Sequence, residues 1–178
     1  MGQESDRMLR ELVEKEAIRD VVHRYCWAVD RGEFQDVMAL FHDSCDLVVS
    51  PPGRRREGRA AVERWYGRYM RHRLGVLRHL IHNQIITLDG DRAFSKSYFD
   101  AVGDLKGESV VVAGFYEDRL LRVEGGWKFT EKVIGTDFMV PLHEGWGGEK
   151  FKVRPWWYDG EKTSKERKSP PKEGIAIV

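Results

Sequence analysis

Six histidines, six tyrosines and two cysteines are the obvious chemical groups of this chain, and their spacing narrows what they can do. His79 and His82 lie on a segment with the pattern of a strand. Strand side chains alternate between faces, which puts His79, Ile81, Asn83 and Ile85 on one side and Leu80, His82, Gln84 and Ile86 on the other. The two histidines therefore form a poor metal pair. No His-x-His, Cys-x-x-Cys or His-Glu-x-x-His spacing occurs, so no metal site is expected. The Gly-x-x-x-x-Gly-Lys-Ser/Thr and Gly-x-Gly-x-x-Gly phosphate cradles are also missing, and no cofactor is expected. Cys26 and Cys45 sit among apolar residues and read as buried thiols of a reducing cytoplasm. Asp30 ends a helix, where the negative end of the helix macrodipole disfavours a carboxylate by a few tenths of a kcal/mol or more. Alone, Asp30 reads as an exposed turn residue and His79 as an ordinary polar strand residue.

The elements that must carry these groups follow from hydrophobic periodicity. Leu9, Leu12, Val13, Ala17, Val21, Tyr25 and Val29 recur at three- and four-residue steps, which predicts an amphipathic helix capped by Gly32. A short helix over Phe34 to Phe41, a strand over Cys45 to Val49 and a third helix from Ala60 to about Arg73 come next. Strands then dominate. Arg78 to Leu88 turns at Asp89-Gly90-Asp91 into Ala93 to Val102. Glu108 to Glu124 turns at Gly125-Gly126 into Trp127 to Val140. Helices first and an antiparallel meander after them predict an α+β fold with helices on one face of a curved sheet.

The chain's 178 residues suit one domain with an appendage. We expect a domain over 1–140, an aromatic wrap over 141–158 (Trp146, Phe151, Trp156, Trp157, Tyr158) and a charged, disordered tail over 159–178. No apolar run approaches the ~20 residues a membrane span needs, and the N-terminus lacks a signal-peptide pattern. A membrane role is thus disfavoured and a cytoplasmic location expected. The net charge of +1 hides nine Arg against two Glu between Arg54 and Arg78. Arg64, Arg68 and Arg71 fall on the helix face opposite Trp65 and Tyr69, and Arg54-Arg55-Arg56 fall in the loop before it. That stretch reads as a solvent face rather than a nucleic-acid footprint.

Several short pieces, in this order, carry a resemblance: Tyr25-x4-Asp30-x-Gly32, Leu40-Phe41-x-Asp43, Gly58-Arg-Ala-Ala-Val62, Arg78-His79-x3-Asn83, Leu88-Asp-Gly-Asp-Arg-Ala93, Gly114-x-Tyr116-x-Asp118 and Gly126-Trp127-Lys128-Phe129. Together they resemble the SnoaL-like branch of the nuclear transport factor 2-like superfamily over roughly residues 8–142. The resemblance implies a cone-shaped fold, with three helices wrapped on a strongly curved antiparallel sheet that encloses a pocket. In motif the sequence is most similar to the lyases of that superfamily, of the scytalone dehydratase, bile acid 7α-dehydratase and hexachlorocyclohexane dehydrochlorinase kinds.

Carried over residue by residue, the resemblance pairs Asp30 with His79 as orienting carboxylate and base, adds Tyr25 from the helix, and puts a cation at Lys132 on the last strand. A histidine with an intrinsic pKa of about 6.5 suits base catalysis near neutrality. Tyr25 or Tyr116 would donate to a substrate oxygen or protonate a leaving hydroxyl. Val112 and Gly114 share the Tyr116 face and would leave room for a bulky ligand; with Tyr116, Val112 and Lys132, which would also assist the leaving group, Asn83 and Trp27 complete the candidate substrate-binding set. The expected activity is a cofactor-independent elimination of water, HX or a small aldehyde from a hydrophobic cyclic or aromatic molecule. A double-bond isomerase and a non-catalytic binding module are the alternatives. By analogy, a homo-oligomer, in particular a trimer, is expected.

Overall fold

The computed structural model describes residues 2–50, 53–71, 75–105 and 107–144. Helix α1 (Gly2–Arg31) is followed by α2 (Phe34–Ala39), strands β1 (Phe41–Ser50) and β2 (Arg54–Glu57), helix α3 (Arg59–Arg71), and strands β3 (Gly75–Asp89), β4 (Arg92–Leu105), β5 (Glu108–Val123) and β6 (Gly126–Pro141). The six strands form one curved sheet in the order β2-β1-β6-β5-β4-β3. All neighbours are antiparallel except β1 and β6, which run parallel. The α+β arrangement expected from element order is the one observed. Of the expected wrap and tail, all but residues 141–144 lie outside the described residues.

Helix α1 buries only its second half. Ile18, Val21, Val22, Tyr25, Cys26, Ala28 and Val29 are in the core, whereas Leu9, Leu12 and Val13, expected on the same buried stripe, are exposed. The stripe thus continues past the part of the helix that finds a partner among the described residues. Glu14 marks the docking point: it accepts hydrogen bonds from Arg122 and from Trp127 Nε1 (2.7 Å), tying α1 to β5 and β6. Both cysteines are buried and free, as their apolar neighbours suggested.

Three local expectations change. The short helix stops at Ala39 rather than Phe41, because Phe41 starts β1 and pairs with Phe129. Arg54–Arg56 is a strand, not a loop. It pairs with Val49, Val48 and Leu47 at the sheet's edge, where outward arginines protect an otherwise open strand. Strand β3 does not alternate uniformly. Its register with β4 shifts between His82 and Ile85, and Asn83 takes a positive φ of 49°. That bulge reverses the parity: Leu77, His79 and Ile81 face the helices before it, and Gln84, Ile86 and Leu88 after it.

Candidate active site

Helix α1 and strand β3 meet where the first ends and the second begins. Gly32, with a φ of 76°, stops α1 just past Asp30. The Asp30 carboxylate then takes two hydrogen bonds from one residue. His79 Nδ1 lies 2.5 Å from Oδ1, and the His79 backbone N–H donates to Oδ2 at 2.9 Å. A carboxylate only accepts, so Nδ1 carries the proton and Nε2 is the basic nitrogen of the neutral ring. The His79 side chain is 9% exposed and that of Asp30 16%, so the pair is shielded but reachable. His82, by contrast, is on the outer face beside Asp100 at 3.3 Å, as alternation required.

Deeper in the sheet, β5 presents Val110, Val112, Gly114, Tyr116, Asp118 and Leu120 to the interior by regular alternation. Strand β6 carries an extra residue, Thr130, between the partners of Leu120 and Arg119. The bulge turns Lys132 to the same side as Trp127 and Phe129, and it is fully buried. Its Nζ donates to both oxygens of Asp118, at 3.0 and 3.2 Å. The same ammonium lies 3.8 Å from the ring centre of Tyr116, 4.1 Å from that of Tyr25 and 4.7 Å from that of Phe129. The Tyr25 and Tyr66 hydroxyls share a 2.9 Å hydrogen bond. Burial pushes the phenols of Tyr25, Tyr66 and Tyr116 well above the usual range, so all three remain protonated donors at neutral pH. Burial also lifts Asp118 to about 6, against the downward pull of Lys132.

The two clusters are linked through Phe99. Its ring is 5.6 Å from His79 and stacks on Tyr116 at 4.5 Å. A Cβ on Gly114 would come within 2.9 Å of the Phe99 ring, so the space expected beside Val112 and Gly114 is filled by that ring. Among the described residues, no group of three or more His, Cys, Asp or Glu is placed to hold a metal ion.

The sequence candidates thus separate. Asp30 and His79 are in direct contact; Tyr25, Tyr116 and Lys132 form the deeper cluster; Val112 lies on the interior face of β5, in the same cross-strand row as His79 through Ala101. Two candidates face elsewhere. Asn83 is exposed at the β3 bulge, because its positive φ serves the change of parity. Trp27 is 67% exposed on the outer side of α1 and lines a surface hollow of about 450 Å³ with His23, Arg24 and Asp36. Neither lines the interior. Asp118, Tyr66 and Phe99 were missed as site residues. Asp118 had one signal, its even spacing from Gly114 and Tyr116; Tyr66 and Phe99 look like any core aromatic.

A curved sheet closed by helices, with a carboxylate–imidazole pair at its rim and tyrosines buried within, defines the class: an α+β cone with titratable groups facing its interior. The SnoaL-like domain profile matches residues 10–133, and the chain belongs to that family. No protein of curated function matches the sequence. Solved structures share the fold. A scytalone dehydratase-like protein from Novosphingobium aromaticivorans DSM 12444 is 22% identical with a TM-score of 0.69, over 83% of this chain and 96% of that one. The hexachlorocyclohexane dehydrochlorinase LinA-type3 from Novosphingobium barchaimii LL02 is 20% identical with a TM-score of 0.66, over 75% and 93%. A protein of unknown function from Mycobacterium tuberculosis is 21% identical with a TM-score of 0.66, over 75% and 77%.

Proposed function

We propose that this protein is a cofactor-independent lyase that eliminates water, HX or a small aldehyde from a hydrophobic cyclic or aromatic molecule. The observation that carries the reading is the double contact between Asp30 and His79. One carboxylate oxygen fixes the tautomer, and the other fixes the strand that bears the ring. A base held this way loses little orientational freedom when it meets substrate.

In the proposed step, Nε2 of His79 takes a proton from a substrate carbon or hydroxyl. For a dehydration or loss of HX, the C–H electron pair becomes the new C=C bond as the group on the adjacent carbon departs. For aldehyde release, the O–H pair forms C=O, the C–C bond breaks, and its electron pair passes into a carbonyl next to the departing carbon as an enolate, which then takes back the proton held by the His79 imidazolium. Asp30 stabilises the imidazolium that results. A departing hydroxide takes a proton from a phenol, with Tyr25 and Tyr116 the protonated donors facing the interior. A departing halide needs only their hydrogen bonds. The dehydrochlorinase and dehydratase names among the fold neighbours support the same chemistry for this chain.

The test is to incubate the purified protein with scytalone and with hexachlorocyclohexane and to read product mass. Elimination lowers the mass by the lost fragment, and His79→Ala abolishes it. A product of unchanged mass would instead mark an isomerase, and full activity of both His79→Ala and Asp30→Ala would sink the mechanism.

A further inference from the structure

The elimination step uses His79, Asp30 and a phenol, which leaves one costly feature without a role. Lys132 and Asp118 are 0% and 1% exposed at the side chain, a full ion pair withdrawn from water. A buried pair of this kind gives little net stability, and well-packed apolar side chains in its place are often as good or better. What the pair touches suggests a use. Its ammonium rests on the ring of Tyr25 from α1 and on the ring of Tyr116 from β5. These rings belong to separate elements and meet edge to face, 5.9 Å apart. Asp118 lies opposite Ser95 on β4 and Lys132 on β6. Ser95 in turn accepts a hydrogen bond from Gln84 on β3, so a polar row crosses four strands beneath the tyrosines.

We propose that the buried Lys132–Asp118 pair is a positioning device, in which the ammonium, anchored by Asp118, holds the rings of Tyr25 and Tyr116 in one arrangement so that their hydroxyls meet the substrate oxygen. The ring contacts stand on geometry alone; the service to the substrate rests on the elimination reading above. Lys132 is the right residue for this task. Its compact charge can sit against several ring faces at once, while two of its protons go to one carboxylate. Lys132 and Asp118 act through the tyrosines and touch no reacting atom.

The test labels the whole chain with 3-fluorotyrosine and assigns each ¹⁹F resonance by single Tyr→Phe changes. A ring that flips slowly shows its two orientations as separate lines. Three proteins are compared: wild type, Lys132→Met, and the double variant Lys132→Met with Asp118→Leu, which leaves no unpaired charge and is expected to fold. In wild type, Tyr25 and Tyr116 should show separate lines. In the double variant these should merge or broaden, while exposed Tyr98 on the outer face stays unchanged. On whichever probe, scytalone or hexachlorocyclohexane, wild type turns over, the double variant should lower kcat by roughly tenfold or more with KM little changed. Separate lines for Tyr25 and Tyr116 that persist in a folded double variant overturn the proposal. The lyase reading fails differently: there His79→Ala keeps full turnover, and the tyrosine lines still respond to Lys132.

Discussion

Asp30 grips His79 at two points, the imidazole Nδ1 at 2.5 Å and the main-chain N–H at 2.9 Å. One side chain at a helix end therefore sets both the tautomer of a ring and the place of the strand carrying it. It also explains why a carboxylate is kept at a helix C-terminus, where the macrodipole opposes it.

If this grip serves a general base, His79→Ala and Asp30→Ala should each lower turnover by roughly 10²–10⁴-fold, the usual weight of such a group. Asp30→Asn should fall about as far as Asp30→Ala, since an amide has one accepting oxygen for two donors: when that oxygen keeps the main-chain N–H, the NH2 donates to Nδ1 and leaves the proton on Nε2. Rates for the four proteins on one responsive substrate check this.

Phe99 is held from three sides, and its loss should be felt as a core cavity. Phe99→Ala is expected to cost roughly 3–5 kcal/mol in urea unfolding. Gly114→Ala should cost about 3 kcal/mol or more, because its new Cβ meets both the Phe99 ring and, closer still, the Gly135 carbonyl oxygen. Adding Phe99→Ala to Gly114→Ala should not rescue it, since the backbone contact remains.

Asp118 gives a pH dependence of unusual sign. Its folded-state pKa, raised by burial to about 6, lies above that of an unfolded aspartate. The folded chain then binds the extra proton between roughly pH 4 and 6, and this group's contribution to stability falls as pH rises through that window. Asp118→Asn removes the ionisation. Its stability relative to wild type should therefore rise between roughly pH 4 and pH 7, as read from unfolding midpoints at the two pH values.

Asn83 is exposed at the β3 bulge, where its backbone takes a φ of 49°. Asn83→Gly should be close to neutral, whereas Asn83→Val, a β-branched residue forced to a φ of 49°, should cost about 1–3 kcal/mol. Turnover per folded molecule should be unchanged for Asn83→Gly. A large drop would place Asn83 back in the site.

Local signals in the chain were enough for the order of helices and strands and for the buried stripe along the second half of α1, whereas the Asp30–His79 pair was reached only through the resemblance to the SnoaL-like lyases, because either residue alone reads as an ordinary polar one. The order and the stripe rest on a helical or strand period or a glycine stop, and the pair on motifs at fixed spacing. Such signals could not tell which way a strand residue faces beyond a bulge. Counting in twos from Phe129 puts Glu131 inside and Lys132 outside, and only the extra residue at Thr130 reverses them. The same reversal after His82 sent Asn83 outward. Exposure of Trp27 and of Leu12 was likewise hidden, because a helix period names a stripe but not how much of it finds a partner. The union of Lys132 with Asp118, Tyr25 and Tyr116 joins two neighbouring strands and a helix far away in sequence. Tertiary packing brought it about, by closing the curved sheet and its helix around a charge that local chemistry would leave in water.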